Sequence, residues 1–237
     1  MDDKKVGILR RTYRRMLYRD LDNVYKHHFN LLQKPKNYKK FLDVGTGFGF
    51  GFIRGVRDGF DCFGLEFDKE RVKKTAQKLR ENGFGITLVV GDAQNLPFKK
   101  DIFDLVGCSH VIEHIPNDKK SLQDIYYSLK KGGVLNLAVP NRYNLRTMLR
   151  TSLKLKNPYT DRTHLREYSK EEVLQIVKET GFEVKSVKMQ GFTPPIGLRA
   201  QMIIGHYLPT GQMLDKLGKI LPAYSTEVSI VAEKAQN

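Results

Sequence analysis

Short apolar runs alternate with longer amphipathic ones along residues 39–139. KKFLDV (39–44), DCFGLE (61–66), ITLVVG (86–91), FDLVGC (103–108) and VLNLAV (134–139) are apolar or β-branched, as strands covered on both faces are. Between them, residues 49–57, 69–82 and 118–131 read as helices; Gly83 caps the end of the second, and Gly132 with Gly133 stops the third. Alternation of this kind predicts a parallel sheet. Further on, YSKEEVLQIVKETG predicts a helix with Ser169 and Glu172 at capping-box spacing and Gly181 at its end. FEVKSVKM and a last run near residues 227–232 add two strands, seven in all. Residues 1–38 predict a basic helical extension with apolar positions at Tyr13, Met16, Leu17, Leu21, Val24 and Leu31. No internal repeat interrupts this order.

The 237 residues suit one α/β domain, here residues 39–237, with decoration at 1–38, 141–166 and 191–222. Hydrophobic content of 40% and charged content of 28% exclude a disordered or fibrous chain. Cys62 and Cys108 lie inside apolar runs, away from metal or disulfide spacing. They read as reduced core residues. No apolar leader and no run of about 18 uncharged apolar residues is seen, so the expectation is a cytoplasmic, non-spanning protein. A net charge of +15 attracts polyanions or anionic lipid, and equally suits a solvated surface.

The chemistry begins in FLDVGTGFGF, where a strand carrying Asp43 turns through Gly45, Thr46, Gly47 and Gly49 into a helix. Glycines there admit a ligand close to the backbone, and the helix N-terminus offers free N–H groups. A dinucleotide fingerprint requires a third glycine where Phe50 stands. That argues against an NAD-dependent oxidoreductase. Glu66 ends the second strand about 20 residues later, where a carboxylate accepts from ribose hydroxyls. Phe67 follows it, and GDAQNLPF supplies Asp92 and Ala93 after the third strand.

These segments, with DIFDLVGCSHVIEHI and SLKKGGVLNLAVPN, resemble in order the motifs of the class I S-adenosylmethionine (SAM) dependent methyltransferases, and by eye the ubiquinone-biosynthesis-like group. The resemblance implies a Rossmann-like α/β fold, with a seven-stranded, mostly parallel sheet and helices on both faces. It implies SAM as cofactor, with Asp43 and the glycine loop beside its methionine part, Glu66 on the ribose, Phe67, Asp92 and Ala93 on the adenine, and His110 lining the pocket.

Candidate catalytic residues are His110, Glu113 and His114, just past the fourth strand, and His164 in DRTHLREYS. In ubiquinone-pathway relatives this loop resembles E-x-x-E-H, and some use it for a divalent metal. Here His110 replaces the first acid while Glu113 and His114 match. A base or metal site, and a loop held by hydrogen bonds, are both compatible with that pattern. For His164, a pocket residue and a surface histidine stay open.

The leading expectation for the acceptor is a small or lipid-linked molecule methylated on oxygen, with residues 1–38 as a substrate lid and 196–221, within the insertion 191–222, as an apolar lid or a membrane-surface contact. The alternatives are an RNA methyltransferase using the basic segments, and a SAM-binding protein without activity. No recognisable RNA-binding module is present, and CSHV stands where many base methylases carry N-P-P-Y.

Overall fold

The computed structural model describes residues 39–154, 159, 161–191 and 220–236. Its strands are β1 (Lys40–Val44), β2 (Asp61–Glu66), β3 (Leu88–Val90), β4 (Phe103–Ser109), β5 (Leu129–Pro140), β6 (Phe182–Gln190) and β7 (Glu227–Lys234). The helices are α1 (Phe50–Arg57), α2 (Lys69–Glu81), α3 (Asp118–Ser128), α4 (Leu145–Ser152) and α5 (Lys170–Glu179). The strands form one sheet in the order β3-β2-β1-β4-β5-β7-β6. β1 to β5 pair in parallel, and β7 runs antiparallel to both its neighbours.

Successive strand residues face opposite sides, and the helices divide accordingly. Phe41 packs with Phe52 of α1 and Leu79 of α2, whereas Leu42 joins the cluster that holds Leu122 and Ile125 of α3 and Val173 and Val177 of α5. Both faces are thus covered, which is why β1 and β4 read as continuous apolar runs. After β1 the chain winds outward to β3, then returns across the sheet to β4. The loops leaving β1 and β4 therefore diverge from a switch point, the crevice where α/β sheets hold ligands.

Two local expectations change. The third helix ends at Ser128, not at the glycine pair, because Leu129 is buried and pairs with Phe103 at the start of β5. Gly132, with φ +72°, bends the strand instead of stopping the helix. Within 141–166 a helix forms that the hydrophobic pattern did not single out, α4, capped by the Asn144 side chain accepting the Thr147 N–H at 2.9 Å. The capping box expected at Ser169 and Glu172 is present at α5. Cys62 and Cys108 are buried free thiols. The extension 1–38 and residues 192–219 lie outside the described residues.

α1 lies close enough to the sheet that a Cβ added to Gly55 would stand 2.6 Å from Phe41 Cδ1 and 2.7 Å from Cys62 Sγ. Alanine ordinarily favours a helix over glycine by about 1 kcal/mol. Here overpacking outweighs that gain, so Gly55→Ala lowers stability by about 1–3 kcal/mol in denaturant unfolding. An equal or higher midpoint would show that α1 stands off the sheet.

Candidate active site

The turn after β1 is fixed from β2: the N–H groups of Gly45 and Thr46 both donate to the Leu65 carbonyl, at 2.8 and 2.9 Å. Gly45, Gly47 and Gly49 have φ of +71°, +53° and +82°, the left-handed region that glycine alone enters at no steric cost. A Cβ on Gly45 would collide with Val111 Cγ2 at 2.3 Å, so the loop after β4 packs directly on the glycine turn. Around Gly47 an added Cβ would meet nothing nearer than 3.7 Å. That face of the loop is open to a ligand.

Asp43 is turned beneath this loop, with one oxygen accepting the Phe52 N–H of α1 and Oδ2 buried without a hydrogen bond. Burial is the main cause that pushes its carboxyl up to about 7, and the nearby Glu66 charge adds to it. The Thr46 hydroxyl is spent inward, donating to the Asp43 carbonyl at 3.0 Å. Glu66 holds the loop from the side, its Oε2 accepting the Gly47 N–H at 2.9 Å and its Oε1 the Asp68 N–H at 3.1 Å. Each of those oxygens keeps a second lone pair, as a pair of ribose hydroxyls requires. Phe67 is 76% exposed next to it. Asp92 accepts from the Gln94 backbone and side chain, and Ala93 is buried behind it. An open glycine cradle, a carboxylate with free acceptor capacity and an orphaned carboxyl oxygen fit the cationic nucleoside that the motif resemblance implies.

The second half of the site follows β4. His110 sits at φ +54°, outside the regions a β-carbon favours, and is held there by its N–H donating to the Ala138 carbonyl at 2.9 Å. Its Nε2 lies 2.8 Å from Glu227 Oε2 and its Nδ1 lies 3.3 Å from Glu113 Oε1. Burial works against a charge on this ring, but the two carboxylates outweigh it and hold the imidazole pKa up at about 10. His110 is therefore an imidazolium at neutral pH, not a free base. Glu227 is itself oriented by Gln190 and Ser229, both hydrogen-bonded to Oε1 at 2.7 and 2.6 Å.

Glu113 is fully buried, and His114 and His164 face it. His164 reaches the cluster because the segment 161–168 is zipped onto the loop: the Leu165 N–H donates to the Glu113 carbonyl at 2.9 Å, and Arg166 donates to the carbonyls of Ile115 and Pro116. Its Nδ1 lies 3.2 Å from Glu167 Oε1, while Glu167 Oε2 accepts from Thr147 at 3.1 Å. Beside this group opens a cavity of about 640 Å³ lined by His110, Asn144, Arg146, Arg162, His164 and Glu167 among others.

All four histidine and glutamate candidates thus converge, and the cofactor-side candidates line the neighbouring loops. Sequence reasoning missed Glu167 and Glu227. Glu167 stands three residues after His164, and Glu227 heads an otherwise apolar strand, a position where a buried acid calls for a partner.

Comparison with known proteins bears on the family resemblance and the fold. The family described as "Methyltransferase domain" matches residues 42–137. An uncharacterised protein of Methanocaldococcus jannaschii is 34% identical over 115 residues, covering 48% of each chain. A chloroplastic 2-methyl-6-phytyl-1,4-hydroquinone methyltransferase of Oryza sativa subsp. japonica is 31% identical over 140 residues, 52% of this chain and 42% of that one. The chain spans about half the length, or less, of these curated relatives. Among solved structures, one described as a methyltransferase from Bacillus halodurans superposes with a TM-score of 0.68 at 21% identity, over 89% of this chain and 98% of that one. The fold is accordingly the class I methyltransferase fold.

Two measurements check the electrostatics. With Asp43 held near 7 against 3.8 in the unfolded chain, the folded state keeps that proton more tightly. Stability therefore falls as pH rises from about 4 to 7 and levels off above, a loss of up to about 4 kcal/mol. Asp43→Asn removes this slope, so the variant is more stable than the parent at pH 8 and their difference vanishes near pH 4; parallel curves would refute the raised pKa. In NMR titration of the histidine ring protons, His110 stays protonated through neutral pH, and Glu227→Gln moves its titration downward. An unshifted His110 would show that Glu227 does not hold its charge.

Proposed function

We infer that this chain, whose residues 42–137 match the family described as "Methyltransferase domain", transfers a methyl group from SAM to a small-molecule acceptor seated in the cavity beside His110 and His164. The observation that carries this reading is the packing of Val111 on Gly45, which sets the open glycine cradle and the histidine–glutamate cluster side by side. When bound, SAM supplies an electrophilic methyl on a sulfonium, and displacement there asks the protein chiefly for position.

The residues divide that work. Glu66 and the Gly45–Gly49 loop hold the nucleoside and its tail. The Asp43 carboxyl beneath the loop, once ionised, favours a cationic ligand above it. His110, charged and pinned between Glu113 and Glu227, donates hydrogen bonds and does not take protons. His164 lines the cavity, with its Nδ1 committed to Glu167 and its Nε2 facing Glu113 Oε1 at 4.0 Å. His114 has its Nδ1 on Thr163 and its Nε2 4.0 Å from Glu113 Oε1.

For the acceptor, oxygen on a lipid-linked or aromatic alcohol is the reading we favour; the phytyl hydroquinone in the rice relative's name supports the lipid-linked part of it. No helix among the described residues is long and apolar enough to cross a membrane, so a lipid acceptor would be met at a surface.

The test is calorimetric titration with SAM, followed by transfer of labelled methyl to a prenylated hydroquinone, with total RNA as the competing acceptor. Glu66→Ala is expected to weaken SAM binding at least about tenfold, as loss of a charge-assisted pair of hydrogen bonds does, with the melting curve otherwise intact. Label in the RNA instead of the quinol would overturn the acceptor reading. Unchanged SAM affinity in Glu66→Ala would overturn the site.

A further inference from the structure

The cavity of about 640 Å³ beside His110 is ample for a small molecule, and arginines from two separate elements line it. Arg146 stands in the first turn of α4, and Arg162 lies in the segment that brings in His164. Their neighbours on the same stretches are tied to the protein. Arg142 pairs with Glu172 at 2.7 Å and donates to the Glu167 carbonyl at 3.0 Å, and Arg166 pairs with Asp118 at 2.9 Å. Arg162, by contrast, is exposed and pairs with no carboxylate among the described residues.

The acids that share the cavity already have donors of their own. Asp161 Oδ1 accepts the Thr163 N–H at 2.8 Å and the Thr163 hydroxyl at 2.6 Å. Glu167 Oε1 lies 3.2 Å from His164 Nδ1, and its Oε2 accepts from Thr147 at 3.1 Å and Asn144 at 3.4 Å. The charged His110 ring is balanced by Glu113 and Glu227. A cation in the first turn opposes the positive end of the helix dipole, and α4 has no acid there to offset Arg146. Helix stability therefore does not account for a base at position 146, whereas an anionic ligand does.

We propose that the acceptor is an acid, whose carboxylate or phosphate group is held in this cavity by Arg146 and Arg162. Guanidinium groups meet both anions through paired N–H donors, and two of them reaching in from different segments fix the orientation of the ligand as well as its sign. The exposed Arg162 places the anionic group at the mouth, so the hydroxyl to be methylated points inward, toward His110. The proposal rests on the reading of this cavity as the acceptor site, and it narrows the hydroxyl-bearing acceptor to an anionic one.

The experiment is an NMR titration of the full chain with 3-hydroxyphenylacetate, its neutral amide and 3-hydroxyphenyl phosphate, following the ring protons of His110 and His164. At least one anion is expected to bind about tenfold or more tighter than the amide, and less tightly as salt is raised. The tighter of the two names the group. Arg146→Ala and Arg162→Ala, each checked for a native melting curve, should weaken anion binding at least about tenfold and leave the amide unaffected, with Arg162→Lys recovering part of the loss. No ring shift with either anion, an amide that binds as tightly as both, or anion binding indifferent to both alanine variants would overturn the proposal. SAM affinity is measured alongside: anion binding through the two arginines in a chain without SAM affinity would fault the methyl-transfer reading and uphold the arginine pair.

Discussion

The site depends on the contact of Val111 with the bare α-carbon of Gly45. Gly45 is glycine for two reasons: its φ of +71° disfavours any side chain, and Val111 Cγ2 fills the space where a Cβ would stand. Through that contact the turn after β1 and the loop after β4, which leave the sheet on either side of the switch point, become one surface. His110 shows what this costs locally. Its φ of +54° is held by its bonds to Ala138 and Glu227, and strain persists only where the surroundings over-determine it.

The chain is strongly basic, yet its site is built of acids. Asp43, Glu113, Glu167 and Glu227 are all buried, and each meets the cost of burial differently. Glu227 is paired with His110 and hydrogen-bonded by Gln190 and Ser229. Glu167 is surrounded by His164, Thr147 and Asn144. Asp43 keeps its proton to about pH 7. Glu113 is faced by the charged His110 ring, whose Nδ1 lies 3.3 Å from its Oε1.

Much of this was legible in the sequence because parallel α/β sheets tie function to strand ends. Once FLDVGTGFGF is read as strand, turn and helix, the ends of β2 and β4 follow in register, and Glu66, His110, Glu113 and His114 fall on one edge. The start of β5 was not legible. Leu129–Lys131 continue the helical pattern of α3 and precede two glycines, so only the pairing of Leu129 with Phe103 makes them strand. Nor did periodicity reveal α4, whose cap Asn144 and buried Thr147 serve Glu167 more than an apolar face.

The omission of Glu227 has a topological cause. In a purely parallel sheet, the first residue of a strand lies at the edge opposite the ligand, so an acid there would be read as remote from the chemistry. β7 runs antiparallel, and its register sets Glu227 against Pro140, the last residue of β5. The reversal of one strand carries an acid from the chain's final segment to the carboxyl edge, 2.8 Å from His110. Sequence patterns report which face a residue occupies, but strand direction decides which end it reaches, and that is a property of the packed sheet alone. The histidine that opens the β4 loop is thus governed by a residue more than a hundred positions away, and its charge follows from the topology of the sheet before any ligand arrives.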